Sequence, residues 1–237
     1  MKKDITVIIP VHEVSGNFET YFKRAIQSIE NQVTPVEEVL IVHSNDKEVV
    51  DWFKNWDNDK LNFRLVSNDG KHDFCSQVNL GVEESKTTWF SILECDDEYS
   101  RNWFKNVHEY IKHYNVDIFL PLVIDVNTDN SFLGFTNEAL WAMKFSEKLG
   151  FLDNSTPSFK LTFGYEFLLR ATYNDLQIMT IPKIGYKHSN MRENSLFWNY
   201  KYKPTDILKP EEGSFWIEAA KKEYFFTYDR EINFESN

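Results

Sequence analysis

The sequence predicts an α/β fold: a mostly parallel, Rossmann-like sheet flanked by helices, with a helical and aromatic tail at the C-terminus. Three observations carry this. From residue 5 to about residue 124, short apolar runs alternate with segments whose apolar residues recur at helical spacing. The runs are nearly continuous in apolar character, as strands buried on both faces of a parallel sheet require. Finally, polar clusters follow the ends of four of these runs directly, where α/β sheets place their ligands.

The elements follow in order. Residues 5–11, ITVIIPV, read as a buried strand halted at Pro10. Ser15-Gly16-Asn17 offers turn and capping chemistry, and Phe18, Tyr21, Phe22, Ala25, Ile26 and Ile29 then trace one face of a helix. A second strand covers 39–42, followed by a helix with Val49, Val50, Phe53 and Trp56 on one side. A third strand, 63–66, ends at the turn Asn68-Asp69-Gly70. Residues 73–84 read as a helix and 89–93 as the fourth strand. Trp103, Phe104, Val107, Tyr110, Ile111 and Tyr114 mark the next helix, and 117–124 returns as a strand.

From residue 125 the alternation lapses. Residues 125–136 look like a loop or hairpin, 137–149 like a helix, 150–162 like an irregular polar loop, and 164–172 like a helix. Residues 177–181 read as a strand stopped by Pro182. In the tail, Pro210-Glu211-Glu212 suits the first turn of a helix. The tail reads as packing on the core or as a partner contact, a homodimer contact among them.

Composition excludes several classes. Of 237 residues, 42% are hydrophobic and 16% aromatic, ample for a core and far from a disordered chain. A net charge of −11 argues against binding nucleic acid, which relies on Lys and Arg to meet phosphates. No apolar stretch approaches the roughly 18 residues of a transmembrane span. The opening MKKDITVIIPVHE reads as a first strand, being too short in its apolar run for a signal peptide. Cys75 and Cys95 show neither metal-site spacing nor a disulfide framework, so a cytoplasmic setting is expected.

The stretch that carries chemistry is 89–99, WFSILECDDEY. Behind its apolar strand stand Glu94, Asp96, Asp97 and Glu98, four carboxylates in five positions. Clustered carboxylates repel unless a cation sits among them, and a hard, oxygen-seeking ion such as Mn²⁺ or Mg²⁺ suits the set. The alternative is a solvated acidic turn before a helix. His12-Glu13, His43-Ser44 and Asn68-Asp69 also follow strand ends, so four polar clusters converge on one rim. That convergence favours a site.

With these pieces placed, the chain resembles glycosyltransferase family 2, inverting nucleotide-sugar enzymes with the GT-A fold. ITVIIPVHE followed by SIENQ resembles the family's opening, with Pro10, His12, Glu13, Ser28 and Gln32 at matching positions. Asn79 and Gly81 match its Asn-x-Gly, and Glu94, Asp96 and Asp97 its Asp-x-Asp-Asp. LGFLDN with FGYEFLLRA, and YKHSNMRENS, resemble its acceptor-side and late segments. The resemblance spans roughly 4–198. It implies a GT-A-like domain over 1–200, with a nucleotide-binding half (1–124), an acceptor-side half (125–200), and a packed tail (201–237).

The resemblance implies a metal-dependent, hexosyltransferase-like enzyme moving a sugar from a nucleotide-sugar donor, a UDP-sugar, to a hydroxyl of a glycan or other acceptor. Asp96 would be the main metal ligand, Glu94 would contact the donor ribose or metal-bound water, His188 would join the metal or diphosphate shell, and Asp97 would support the site or the sugar. Pro10, Val11, His12 and Glu13 would line the nucleobase side, with His43, Ser44, Asn68 and Asn79 on the donor pocket and Arg192 on the diphosphate. Two departures stand out. His43-Ser44-Asn45-Asp46 replaces the family's Asp-Asp-Gly-Ser, and Glu94 replaces an Asp. An inverting transfer also needs a carboxylate to take the acceptor's proton. Alignment on Arg170 puts Phe163-Gly164 at the family's Glu-Asp, leaving Glu166 as the nearest replacement and Asp153 as the other local candidate. Loss of that pair also motivates a second reading, a catalytically inactive nucleotide-sugar-binding or protein-interaction domain. A nucleotidyltransferase would need a Gly-rich, basic phosphate loop after the first strand, and residues 10–17 contain none.

Overall fold

Strand β1 (Ile5–Val11) is buried along its whole length, so both of its faces must be covered by helices. The computed structural model describes residues 4–69, 74–126, 132–136, 142–144, 167–168, 171–172 and 174–189, with backbone alone for 132–136 and 142–144. In order these residues form β1, α1 (Phe18–Glu30), β2 (Glu38–Ser44), α2 (Lys47–Phe53), β3 (Phe63–Asn68), α3 (Phe74–Glu84), β4 (Trp89–Ile92), β5 (Glu98–Tyr99), α4 (Trp103–Ile111), β6 (Ile118–Val126), β7 (Phe132–Thr136), β8 (Ala142–Lys144) and β9 (Ile178–Ser189). One sheet contains them all, in the order β3-β2-β1-β4-β8-β6-β9-β5, with β7 paired to β6.

The N-terminal half is the predicted parallel, helix-covered sheet. β1 pairs in parallel with β2 and β4, and β2 with β3. α1 buries Phe18, Tyr21, Phe22, Ala25, Ile26 and Ile29, the face its spacing predicts. Gly16 supplies the left-handed backbone (φ +61) of the turn before it, while Asn17 at the helix start makes no side-chain cap. Phe18 and Phe22 meet Trp52 edge-on at 5.0 and 5.5 Å, locking α1 to α2. On α3, a Cβ at Gly81 would stand 2.5 Å from Ile8 Cγ2, so glycine lets this helix approach the sheet closely. Cys75 and Cys95 are buried thiols outside any disulfide.

The proline at residue 10 fits a central strand because of where its neighbours stop. The β1–β4 ladder ends at Ile8↔Ile92, so at Pro10 only β2 remains alongside and a residue without an N–H is tolerated. β1 accordingly runs on to Val11.

The second half corrects three expectations. Residues 142–144, expected within a helix, form β8, antiparallel to both β4 and β6. The vacancy between those two strands wins over the helical spacing of the segment; the rest of 137–149 lies outside the described residues. Strand β9 does not stop at Pro182 but continues to Ser189. Its parallel register with β6 slips from Leu120↔Thr180 to Leu122↔Ile184 and again to Val123↔Tyr186, so bulges opposite Pro121 absorb the proline. The acidic stretch also ends in a short unforeseen strand, β5, antiparallel to β9 through Glu98↔Lys187 and Tyr99↔Tyr186. The 125–136 hairpin is realised by β7 pairing with β6. The tail lies outside the described residues, as do 150–162.

Candidate functional site

Strands β1 to β4 run parallel, so the residues after them gather at one edge of the sheet. His12 and Glu13 follow β1, Asn45 and Asp46 follow β2, Asp69 follows β3, and Glu94 with Asp96 follows β4. Ser44 Oγ lies 3.2 Å from the His12 carbonyl and 3.0 Å from Asp46 Oδ2, its single proton shared between the two acceptors, tying the ends of β1 and β2 together. Asn45 Nδ2 donates to Asp69 Oδ1 at 3.3 Å, joining β2 to β3. Asn68 is buried, and His43 turns inward to stack on Phe53 with ring centroids 5.3 Å apart. Asn79 is half-buried on α3. Gln77, on the same helix, donates from Nε2 to the Val11 carbonyl at 2.8 Å and steadies the end of β1.

Glu94, Asp96 and Asp97 place one ligand atom each within 4.8 Å of one another. Their roles diverge with burial. Glu94 and Asp96 are partly exposed, whereas Asp97 is 1% exposed and has both oxygens engaged by β9. Tyr186 Oη donates to Asp97 Oδ2 at 2.7 Å, and the Ser189 N–H donates to Oδ1 at 2.8 Å. Burial, and then the negative charge of Asp96, push the Asp97 carboxyl up to about 7. His188, the Ser189 N–H and the Tyr186 hydroxyl pull the other way. Burial and the charges of Asp97 and Glu94 hold Tyr186 well above the usual phenol range, so it stays a neutral donor.

His188 stands beside the acidic group rather than within it. Its Nδ1 meets Asp125 Oδ1 at 2.9 Å, across the β6–β9 register pair Asp125↔His188. Arg24 reaches Ser189 Oγ at 3.1 Å and pairs with Glu98 at 3.1 Å, while Lys187 meets the same Glu98 oxygen at 2.7 Å. Two cations thus offset the charge of Glu98, at the end of the acidic stretch.

Ser28 and Gln32 carry a structural task. The Tyr99 N–H donates to Ser28 Oγ at 3.1 Å, and Gln32 Nε2 donates to the Ser100 carbonyl at 2.8 Å. Gln32 Oε1 accepts from the Phe104 N–H at 3.3 Å, an orphan donor in the first turn of α4, where Asn102 gives no side-chain cap. The pair anchors the chain that leaves the acidic stretch.

Three oxygen-bearing groups at this spacing match what a hard divalent cation takes, and the mutual repulsion felt at Asp97 is what such an ion relieves. Glu94 and Asp96 are the two with outward exposure; Asp97 supports them from beneath. Glu166, Asp153 and Arg192 lie outside the described residues. The sequence placed Asp69 among the rim clusters but gave no role to Tyr186, Ser189 or Asp125. Tyr186 sits two residues before His188 in YKHS, a hint that its role goes with the late histidine segment.

Comparison with known proteins agrees in fold. The sequence profile of glycosyl transferase family 2 matches residues 6–171. No curated protein matches the chain. Among solved structures, S. aureus TarS 1–349 in complex with UDP-GlcNAc superimposes with a TM-score of 0.64 at 15% identity, covering 94% of this chain and 66% of that one. The same TarS segment with UDP gives 0.59 at 15% identity, over 91% and 78%. TarS as a longer chain gives 0.58 at 16%, over 92% and 48%, so the present chain spans about half of its length.

Proposed function

The chain belongs to glycosyl transferase family 2, and from that premise we propose that it is a metal-dependent inverting glycosyltransferase using a nucleotide-sugar donor. The observation that carries this is the Glu94–Asp96–Asp97 group at the carboxyl rim of the parallel sheet, inside the segment the family profile matches. Likeness to TarS bound to UDP-GlcNAc and UDP supports a UDP-sugar as donor, and that rim is its proposed seat. The acceptor is a hydroxyl of a glycan or other molecule.

Asp96 and Glu94 would hold Mn²⁺ or Mg²⁺, with His188 beside them. When bound, such an ion supplies the positive charge that stabilises a departing nucleoside diphosphate. Pro10, Val11, His12 and Glu13 flank the nucleoside, with Ser44, Asn68 and Asn79 shaping the pocket, His43 backing it, and Arg192 on the diphosphate. No Asp-Asp pair follows β2; Asp46 and Asp69, after β2 and β3, join Glu13 as the carboxylates on this side of the rim. Glu166 is the proposed base that takes the acceptor's proton as oxygen attacks the anomeric carbon, and Asp153 is the alternative. Among the described residues no helix is long and apolar enough to cross a membrane.

A thermal-shift series with UDP, GDP and their sugar conjugates, with and without Mn²⁺, tests the reading. At a hundredfold excess over Kd a ligand adds about 2.7 kcal/mol, which for a domain of this size raises Tm by roughly 5–11 °C. We expect a Mn²⁺-dependent shift with one nucleotide, absent in Asp96→Ala, and donor turnover that Asp96→Ala abolishes. No turnover of any donor, with or without nucleotide binding, would refute the enzyme reading and favour the inactive domain that Phe163-Gly164 suggests; measured turnover would eliminate that alternative.

A further inference from the structure

We propose that Tyr186 is a positioning residue for the donor site: its hydroxyl spans the acidic turn and sets the spacing at which Glu94 and Asp96 meet one cation. The inference rests on the metal-site reading above and extends it to a residue on the far strand.

The turn is short. The Asp97 N–H donates to the Glu94 carbonyl at 3.1 Å, closing residues 94–97 on themselves. One buried hydroxyl then holds both ends from outside. Tyr186 Oη accepts the Glu94 N–H at 3.2 Å and donates to Asp97 Oδ2 at 2.7 Å. A phenol has one proton to give and lone pairs to receive, so the two bonds use it in complementary directions. The ring cannot yield, since Tyr186 is 0% exposed and packs edge-on against Tyr99 at 5.6 Å. Gly185 fixes it from the chain side, because a Cβ there would stand 2.4 Å from Trp103 Cε3 and 2.6 Å from Pro121 Cβ. β9 therefore meets α4 without slack, and the hydroxyl arrives at a set height over the turn.

Tyr99 makes a matched comparison. Its hydroxyl is equally buried, donating to the Ile92 carbonyl at 2.7 Å and lying 2.7 Å from Ser91 Oγ, yet it bonds neither end of the acidic turn. Removing either hydroxyl costs a buried hydrogen-bonded group. Only removal of the Tyr186 hydroxyl frees the turn. Partners that orient metal ligands typically contribute about 10–100-fold to metal affinity.

The experiment measures Mn²⁺ affinity by electron paramagnetic resonance, alone and with UDP, for the wild type, Tyr186→Phe and Tyr99→Phe, alongside Tm without metal. The expected result is a similar loss of Tm in both variants, with Mn²⁺ affinity down by about 10–100-fold in Tyr186→Phe alone. Wild-type affinity retained within twofold in Tyr186→Phe, or an equal loss in both variants, would overturn the proposal. A wild type that takes no Mn²⁺ in either condition would instead overturn the metal-site reading. Should Tyr186→Phe fail to fold, 3-fluorotyrosine at position 186 keeps the hydroxyl. Its ¹⁹F resonance is expected to shift on Mg²⁺ addition, and an unmoved resonance in protein that binds Mg²⁺ would overturn the role.

Discussion

Gly185→Ala tests how tightly the site depends on the seating of β9. A Cβ at this position would lie 2.4 Å from Trp103 Cε3, 2.6 Å from Pro121 Cβ and 2.8 Å from Trp103 Cδ2. Carbon atoms pack best at about 3.5–4.0 Å, so the shortest contact falls short by more than 1 Å. Relief is blocked on both sides: Trp103 is wholly buried, and Pro121 is a ring within β6. Overpacking of this kind typically costs 1–3 kcal/mol, and two rigid neighbours place this case near about 3. At about 2–4 °C per kcal/mol, Tm should fall by roughly 6–12 °C. Urea unfolding read by tryptophan fluorescence measures the free energy, since Trp103 itself is the clashing group. Because Tyr186, His188 and Ser189 ride on the same strand, Mn²⁺ affinity should fall as well. Gly81→Ala gives the contrast: its 2.5 Å contact is to one Ile8 methyl and the next two are 3.2 Å, so about 1–2 kcal/mol is expected with metal affinity retained. A loss under about 1 kcal/mol in Gly185→Ala would show that β9 can shift, and the close-packing argument would fail.

Other predictions concern the acidic turn and its supports. Asp97 keeps its proton in the folded protein up to about pH 7, against 3.8 for an ordinary carboxyl. Between those values the unfolded chain has released a proton that the folded one retains. Metal-free wild type should therefore lose stability relative to Asp97→Asn as pH rises from about 4 to 7, levelling on either side. Chemical denaturation across that range reads the difference, and a flat or rising difference would contradict the assignment. Mn²⁺ binding near pH 6.5 should release protons, seen as calorimetric enthalpies that change with the ionisation heat of the buffer; buffer-independent heats would argue against a metal on this group. Gln32→Leu strands the Phe104 N–H, while the Ser100 carbonyl keeps the Trp103 N–H at 3.0 Å, so a loss of about 1–3 kcal/mol is expected. Near-wild-type urea stability there would mean water replaces the side chain.

The parallel half of the fold was legible because its signals are local. The apolar runs at 5–11 and 39–42 and the helical spacing from Phe18 to Ile29 each lie within a dozen or so residues, and the structure follows them closely. The four polar clusters were legible for the same reason, since a parallel strand delivers whatever follows it to one rim. Residues 142–144 and β9 beyond Pro182 were not. What settles them is a partner strand elsewhere: β4 and β6 flank β8, and β6 carries β9 past its proline by slipping register.

The amino-acid sequence by itself determined that a sheet with helices on its faces would form, and that carboxylates would crowd behind one of its strands. The family resemblance assigned Asp96 and Asp97 different tasks, but nothing in the residues themselves gave the physical reason. Asp96 and Asp97 are adjacent and chemically identical, and only the arrival of Tyr186 and Ser189, about ninety residues later, buries one as a support and leaves the other partly open. Desolvation and hydrogen bonding depend on what surrounds a group in space, and a contact across that separation leaves no periodic trace in the chain.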